Sequence, residues 1–245
     1  MTLAGKVALV SGGSRGIGAA IATRLAADGA DVALTYTSAE QQSSEVVGRI
    51  EAHGRKALAI RADSTDADAV ADSVHRTAET LGGVDILVNN AGVFPTATID
   101  ELTVAEIDRT LAIHVRAVLV ATQAAARYLP DGGRVINIGS SLAGRAPGPG
   151  LSLYSASKSA LDGLTRGLAR DLGPRGISAV VVHPGSTDTD MNPADGPRAA
   201  AQKAGRALTE YAAPDDVAAT VAHLAGEGGR FITGSGILVD GGASA

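Results

Sequence analysis

Short runs of consecutive apolar residues alternate along this chain with longer stretches in which apolar positions recur every three or four residues. The short runs read as strands buried on both faces, the longer stretches as amphipathic helices. Residues 6–11 form the first run, followed by glycines and by an alanine-rich helical stretch over 19–28 that ends before Gly29. Residues 31–36, 56–61 and 84–89 supply three more strands. Between them the pattern predicts helices over 39–53, stopped by Gly54, and over 66–81, stopped by Gly82 and Gly83. One long helix is predicted from about 103 to 128, then a strand over 134–138. A helix opening at Leu151 runs to about Leu172, where Gly173-Pro174 stops it, and a sixth strand covers 177–182. A helix over about 214–225 precedes the last strand, 236–239. Continuous apolar strands alternating with helices indicate an α/β fold, a doubly wound seven-stranded parallel sheet with helices on both faces. No repeat, linker or shift of composition divides the chain, so residues 1–245 are expected to form a single domain. The one long stretch without strong periodicity, 186–213, is expected to be a lid or binding loop.

Composition narrows the function classes. Hydrophobic residues make up 45% of the chain, but there is no Trp and there are only two Phe, so the core must be built from Ala, Val, Leu and Ile. The net charge of −5 leaves no electrostatic footprint for nucleic acid or an anionic membrane. No apolar run approaches the ~18 residues of a membrane helix. The opening MTLAGKVALV runs into a strand pattern without a signal peptide's charged region and cleavage site, so a cytoplasmic protein is expected. The absence of Cys removes disulfides and thiol chemistry, and no metal-ligand cluster is apparent among the histidines and carboxylates.

After the first strand comes Gly12-Gly13-Ser14-Arg15-Gly16-Ile17-Gly18, which opens a helix. Glycines there permit a tight turn and let backbone N–H groups approach a pyrophosphate at the positive helix end. An NAD site normally carries a carboxylate at the end of the second strand, to accept from the ribose 2′-hydroxyl. Here that end reads Tyr36-Thr37-Ser38, while Arg15 sits inside the phosphate loop. A guanidinium with hydroxyl donors suits a 2′-phosphate, so the expected cofactor is NADPH/NADP+. Asp63-Ser64, Asn89-Asn90-Ala91-Gly92 and Pro184-Gly185-Ser186-Thr187-Asp188-Thr189 follow the third, fourth and sixth strands. All lie at carboxyl ends of strands, where such sheets bind ligands.

Tyr154 and Lys158 stand four residues apart in a helical pattern, on one face. A phenol of pKa about 10 beside a cation is a proton donor whose acidity is tuned downward. Thirteen residues before the tyrosine lies Ser141.

These residues, in this order and spacing, resemble the short-chain dehydrogenase/reductase family over essentially the whole chain, 6–242. The resemblance rests on Gly12 to Gly18, Asn89 to Gly92, Ser141, Tyr154-x-x-x-Lys158, Pro184-Gly185, and Ile232-Thr233-Gly234 through Asp240-Gly241-Gly242. Within the family the chain is similar to 3-oxoacyl-carrier-protein reductases and related carbonyl reductases. The resemblance implies a single-domain Rossmann fold, a homotetramer, and reversible NADPH-dependent reduction of a ketone or 3-oxoacyl carbonyl. Tyr154 would donate a proton to the carbonyl oxygen and Ser141 would orient that oxygen. Lys158 would lower the tyrosine pKa and hold the nicotinamide ribose. The cofactor would be held by the motifs above, from Gly12 to Thr189, and Phe94 and Met191 would line the substrate pocket; Phe94 with Pro95 could equally only pack a loop. Gly163 and Gly167 would allow close helix approach between subunits, unless they face the sheet.

One position departs from the family. His114 stands where an Asn usually holds a water linking the lysine to solvent. Either the imidazole holds that water and relays protons near neutral pH, or it only fills the helix bend. His183 is expected to be structural. Two other classes remain open: an NAD-dependent alcohol or sugar dehydrogenase of the same family, and a non-catalytic NADP(H)-binding regulator. Ser141, Tyr154 and Lys158 together favour an enzyme, since a binding module needs no proton donor.

Overall fold

In a computed structural model that describes residues 3–245, the apolar runs become the strands of one seven-stranded parallel sheet. The strands are β1 (Val7–Val10), β2 (Asp31–Tyr36), β3 (Ala57–Arg61), β4 (Ile86–Asn89), β5 (Arg134–Ile138), β6 (Ser178–Pro184) and β7 (Ser235–Val239). Their order is β3-β2-β1-β4-β5-β6-β7. Val10 pairs with Leu34 of β2 on one side and with Val88 of β4 on the other. The chain therefore reverses direction across the sheet between β1 and β4, and the loops leaving these two strands diverge to open a crevice.

Period-two alternation divides the core. Ala8 and Val10 join the cluster that holds Ile21 and Leu25 of α1 (Gly16–Ala27), Ile50 of α2 (Glu40–Ala52) and Val217 and Val221 of α8 (Pro214–Ala225). Leu9 points to the other face, with Val74 of α3 (Ala67–Leu81), Ala121 of α5 (Ala117–Ala125) and Leu172 of α6 (Ser152–Leu172). Small alanines let these helices lie close to the sheet, which compensates for the missing large aromatics.

Two differences from the predicted elements bear on the site. α1 begins at Gly16, three residues before the alanine-rich periodicity does, so the last glycines of the loop already belong to the helix. The long helix predicted over 103–128 is interrupted. α4 (Val104–Leu111), opened by a Thr103–Glu106 capping box, gives way to a π-helical turn over Ala112–Arg116 before α5 resumes. The Ala117 N–H reaches back to the Ala112 carbonyl, and the extra residue turns His114 inward, where it is 1% exposed. Single π turns of this kind concentrate at functional sites.

Between β6 and α8 the chain forms one short helix, α7 (Ala199–Ala204). A parallel bridge joins Thr187 to Ala212, and the Arg206 guanidinium donates to the carbonyl oxygens of Ser186 and Glu210, tying the two ends of this excursion together. Among the described residues no helix is long and apolar enough to cross a membrane.

Candidate active site

The glycine loop is held from behind. The Thr35 hydroxyl of β2 accepts the Gly12 N–H at 3.0 Å, and Asn90 Nδ2 donates to the carbonyl oxygens of Ser11 and Gly12 at 2.9 and 3.0 Å. The Ser11 hydroxyl accepts the N–H groups of Asn90 and Ala91, so the ends of β1 and β4 are locked to one another. Gly12 has φ +63°, and a Cβ there would come within 2.9 Å of Ala91 Cα; one on Gly18 would come within 2.3 Å of the Gly12 carbonyl. Only glycine fits this cradle, and its shape suits the close backbone approach of a pyrophosphate to the start of α1.

Every residue expected to touch the dinucleotide, from Gly12 through Tyr36, Asp63 and Asn90 to Thr189, lines one cleft along the carboxyl ends of the strands. Ser141, Phe94 and Met191 line it as well. At the β2 end the lining is Tyr36, Thr37, Ser38 and Gln42, with Arg15 nearby in the loop. The carboxylate of Asp63 is occupied by the N–H and hydroxyl of Thr65, both at 2.8 Å, which hold it below its usual pKa. Arg15 lies 3.8 Å from Asp190, with both side chains exposed. The donor set therefore fits a 2′-phosphate better than a free 2′-hydroxyl.

At the other end of the cleft stand Tyr154 and Lys158, on the first turns of α6. Lys158 Nζ is buried and donates to the Ile138 carbonyl at 2.9 Å, the last of β5. Burial pulls its pKa down to about 8. The expected lowering of the phenol pKa is outweighed here by desolvation. Lys158 is directed at the β5 carbonyl, and desolvation in the cleft pushes Tyr154 above its ordinary value. The counteracting influence comes from a hydrogen bond with the Ser140 side chain.

That contact corrects the serine. Counting thirteen back from Tyr154 selects Ser141, but Ser140 is the residue whose hydroxyl faces the phenol. Ser140 is extended, with φ −166° and ψ 147°, and its side chain caps a short turn by accepting the Leu142 N–H at 3.2 Å. Ser141 is the first residue inside that turn, buried in the cleft wall.

His114 lies behind the wall, not in it. The Val93 N–H donates to its Nε2 at 3.0 Å, which places the proton on Nδ1, where it is donated to Ser157 Oγ at 2.8 Å. Ser157 in turn donates to the Tyr154 carbonyl at 2.8 Å. A Cβ on Gly92 would lie 3.3 Å from His114 Nε2 and 3.6 Å from Lys158 Nζ, so imidazole and ammonium are near neighbours. Burial, with the Lys158 charge second, lowers the histidine pKa to about 3. Both nitrogens are committed and burial disfavours the charged ring, which weighs for the second reading, a side chain that fills the helix bend, over a proton relay.

Sequence reasoning took His183 as structural and Phe94 as a pocket wall, and passed over Arg145 and Arg198. His183, at the end of β6, brings Nδ1 within 3.1 Å of the Ser140 nitrogen and Nε2 within 3.1 Å of Asp162 Oδ1. Phe94 meets the Tyr154 ring edge-on, centroids 4.6 Å apart, which places it as a wall beside the phenol. Arg198 stacks over the Phe94 ring, 5.0 Å from its centroid. Arg145 lines the cleft five residues beyond Ser140. Two loops far apart in sequence bring these groups together, and no local motif marks them.

Comparison with known proteins agrees with this geometry. Residues 6–199 match the short chain dehydrogenase family. A short chain dehydrogenase of Burkholderia cenocepacia J2315, solved in complex with NADP, superposes with a TM-score of 0.99 at 60% identity, each chain covered in full. A blue fluorescent protein from a metagenomic library, solved with NADPH, superposes at 0.98 with 56% identity, again over the whole of both chains. A cyclic-di-GMP-binding biofilm dispersal mediator protein of Escherichia coli K12 is 44% identical over 97% of this chain and 96% of its own length.

Proposed function

The chain belongs to the short-chain dehydrogenase/reductase family of oxidoreductases, and from that premise we propose that it uses NADPH to reduce a ketone or 3-oxoacyl carbonyl, reversibly. The observation that carries this reading is the Ser140 hydroxyl against the Tyr154 phenol, one helical turn from Lys158, in the cleft at the strand ends. A reduced nicotinamide nucleotide, held along the cleft from the glycine loop to Lys158, would when bound supply a hydride for the carbonyl carbon. Tyr154 gives its proton to the carbonyl oxygen, and its raised pKa keeps it protonated at neutral pH, as an acid must be. Ser140 donates a hydrogen bond to the same oxygen and fixes its orientation, the part first expected of Ser141. The Lys158 ammonium, on the same face of α6, offsets the negative charge left on the phenol. His114 acts at one remove, holding Val93 on one side of the site and, through Ser157, the backbone of Tyr154 on the other.

Arg15 with the hydroxyls of Thr37 and Ser38 supports NADPH over NADH, as do the nucleotides held by the two solved relatives. The excursion 186–213, which carries Met191 and Arg198 to the cleft, would serve as the substrate lid. A homotetramer is supported by Gly163 and Gly167, whose absent side chains would meet no atom within 4 Å, and by the exposure of Leu119, Phe231 and Leu238.

The test is oxidation of NADPH, and separately NADH, with a panel of ketones and acetoacetyl thioesters. Turnover with NADPH preferred supports the reading; NADPH binding without turnover of any of them contradicts it.

A second reading draws on the charge of the cleft. Arg15, Arg109, Arg145 and Arg198 line it against only Asp63 and Asp190 among the described residues. The E. coli relative is named for binding cyclic di-GMP, a ligand with two phosphodiesters that such a lining suits. In this reading the protein is a nucleotide-binding regulator. Calorimetric titration with cyclic di-GMP, with and without NADPH, separates the two: heat that NADPH abolishes places the ligand in the same cleft, and no heat removes this reading.

A further inference from the structure

Two arginines that line the cleft, Arg145 and Arg198, have no ion-pair partner among the described residues. Arg145 leaves the turn that Ser140 caps, and its Nε is buried without a hydrogen-bond partner. Among the described residues it makes no ion pair. The charge it feels is that of Arg206, of like sign, whose own guanidinium is occupied by the Ser186 and Glu210 carbonyl oxygens. Arg198 also lines the cleft; among the described residues its one side-chain contact is with the Phe94 ring, which meets Tyr154 edge-on.

The two carboxylates that line the cleft are both engaged elsewhere. Asp63 is bound by Thr65 beside β3, and Asp190 faces Arg15 of the glycine loop. Neither Arg145 nor Arg198 belongs to the loop or the β2 end where the dinucleotide phosphates are expected. An exposed arginine alone would be ordinary surface. Arg134 and Arg206 also bury an unpartnered Nε, but their other guanidinium nitrogens are bonded to backbone carbonyl oxygens. Arg145, on the loop after the serine that faces the phenol, lines the cleft with no hydrogen bond from its guanidinium among the described residues. Leaving such a donor unsatisfied is costly, and a planar anion is the group that satisfies it best.

We propose, on the basis of the reductase reading above, that the carbonyl substrate carries an anionic oxygen group, a carboxylate or phosphate monoester. Arg145 binds that group and Arg198 closes over it from the lid. The carbonyl then lies between Ser140 and Tyr154 while the anion lies toward the loop that follows Ser140. Neutral ketones of the same skeleton lack this anchor and are poorer substrates.

The test uses two matched pairs with the NADPH-loaded enzyme: 4-oxopentanoate against its methyl ester, and dihydroxyacetone phosphate against dihydroxyacetone. The first pair reports a carboxylate, the second a phosphate. The expected result is a kcat/KM at least about 10-fold higher for the anionic member of one pair, the size of a charge-assisted hydrogen bond. Arg145→Met should erase that preference through KM, and Arg145→Lys should restore part of it. The melting temperature of the NADP+ complex gives a readout independent of turnover. It should rise more with the preferred anion than with its neutral partner, and the difference should vanish in Arg145→Met. An anion-selective rise without turnover would leave this inference standing and sink the reductase reading. Neutral members turned over as well as anionic ones, or no anion-selective rise, would overturn the inference itself.

Discussion

The ring of His183 grips the backbone of Ser140: its Nδ1 lies 3.1 Å from the serine nitrogen and 2.9 Å from the serine carbonyl oxygen. According to its protonation, Nδ1 accepts the N–H or donates to the carbonyl. Asp162, four residues beyond Lys158 on α6, holds the other ring nitrogen at 3.1 Å. The serine that faces the phenol is thus tied to the helix that carries the phenol by a side chain from β6.

Loosening that tie should cost turnover more than binding. His183→Ala should lower kcat about 10- to 100-fold with KM changed little, because a displacement of about 1 Å at an orienting group is worth about that factor. Asp162→Asn should have a smaller effect in the same direction. Steady-state kinetics on a substrate the wild type reduces check this, and a loss confined to KM would contradict it.

His114 should make the protein sensitive to acid. Its pKa of about 3 lies below the ordinary value of about 6.5, so between these the unfolded chain binds a proton that the folded one does not. Stability therefore falls as pH falls through that window, by roughly 2 kcal/mol between pH 7 and pH 5 from this residue alone. Urea unfolding of wild type and His114→Asn at both pH values checks it. The variant should lose less stability on acidification, and an unchanged difference between the two pH values would contradict it.

Lys158 is a buried cation of the same kind and titrates in a higher window. Its pKa of about 8 lies below the ordinary 10.5, so the unfolded chain holds the extra proton between these values and stability rises with pH across them. Lys158→Met should stabilise the protein at pH 7, by up to roughly 3 kcal/mol, with the advantage shrinking between pH 8 and 10.5. The same variant should lose turnover. Melting temperatures at pH 7 and pH 9.5 measure the first effect; a variant less stable than wild type at pH 7 would contradict it.

The two neighbouring serines should behave differently. Ser140→Ala should lower kcat about 10²- to 10³-fold, the range for removing one donor to a developing oxyanion. Ser141→Ala should retain most of the activity. Equal losses, or the reverse order, measured as NADPH oxidation rates, would return the role to Ser141.

Local signals were legible and directional ones were not. β2 and β5 begin and end where their apolar runs do, and α8 runs from Pro214 to the residue before Gly226, because strand burial and helix punctuation are written in adjacent residues. The glycine loop and the Tyr154–Lys158 spacing are local in the same sense. The π turn at 112–116 was invisible because a single i→i+5 turn leaves the apolar periodicity on both sides intact. The choice between Ser140 and Ser141 depends on which one is extended before the short turn, and a fixed count cannot show that. The direction of Lys158, toward Ile138, depends on where β5 ends relative to α6. Arg145 and Arg198 meet the same cleft only because the loop after β5 and the excursion after β6 fold over the same strand ends.

The most direct test of catalysis by this site is the rate of NADPH oxidation by Tyr154→Phe with a carbonyl substrate that the wild type reduces, alongside NADPH binding followed by its fluorescence. Loss of the phenolic proton should lower kcat by about 10²- to 10⁴-fold while the nucleotide still binds. A variant that reduces the ketone at the wild-type rate would show that the proton comes from elsewhere, and the role assigned to Ser140, Tyr154 and Lys158 would fall with it.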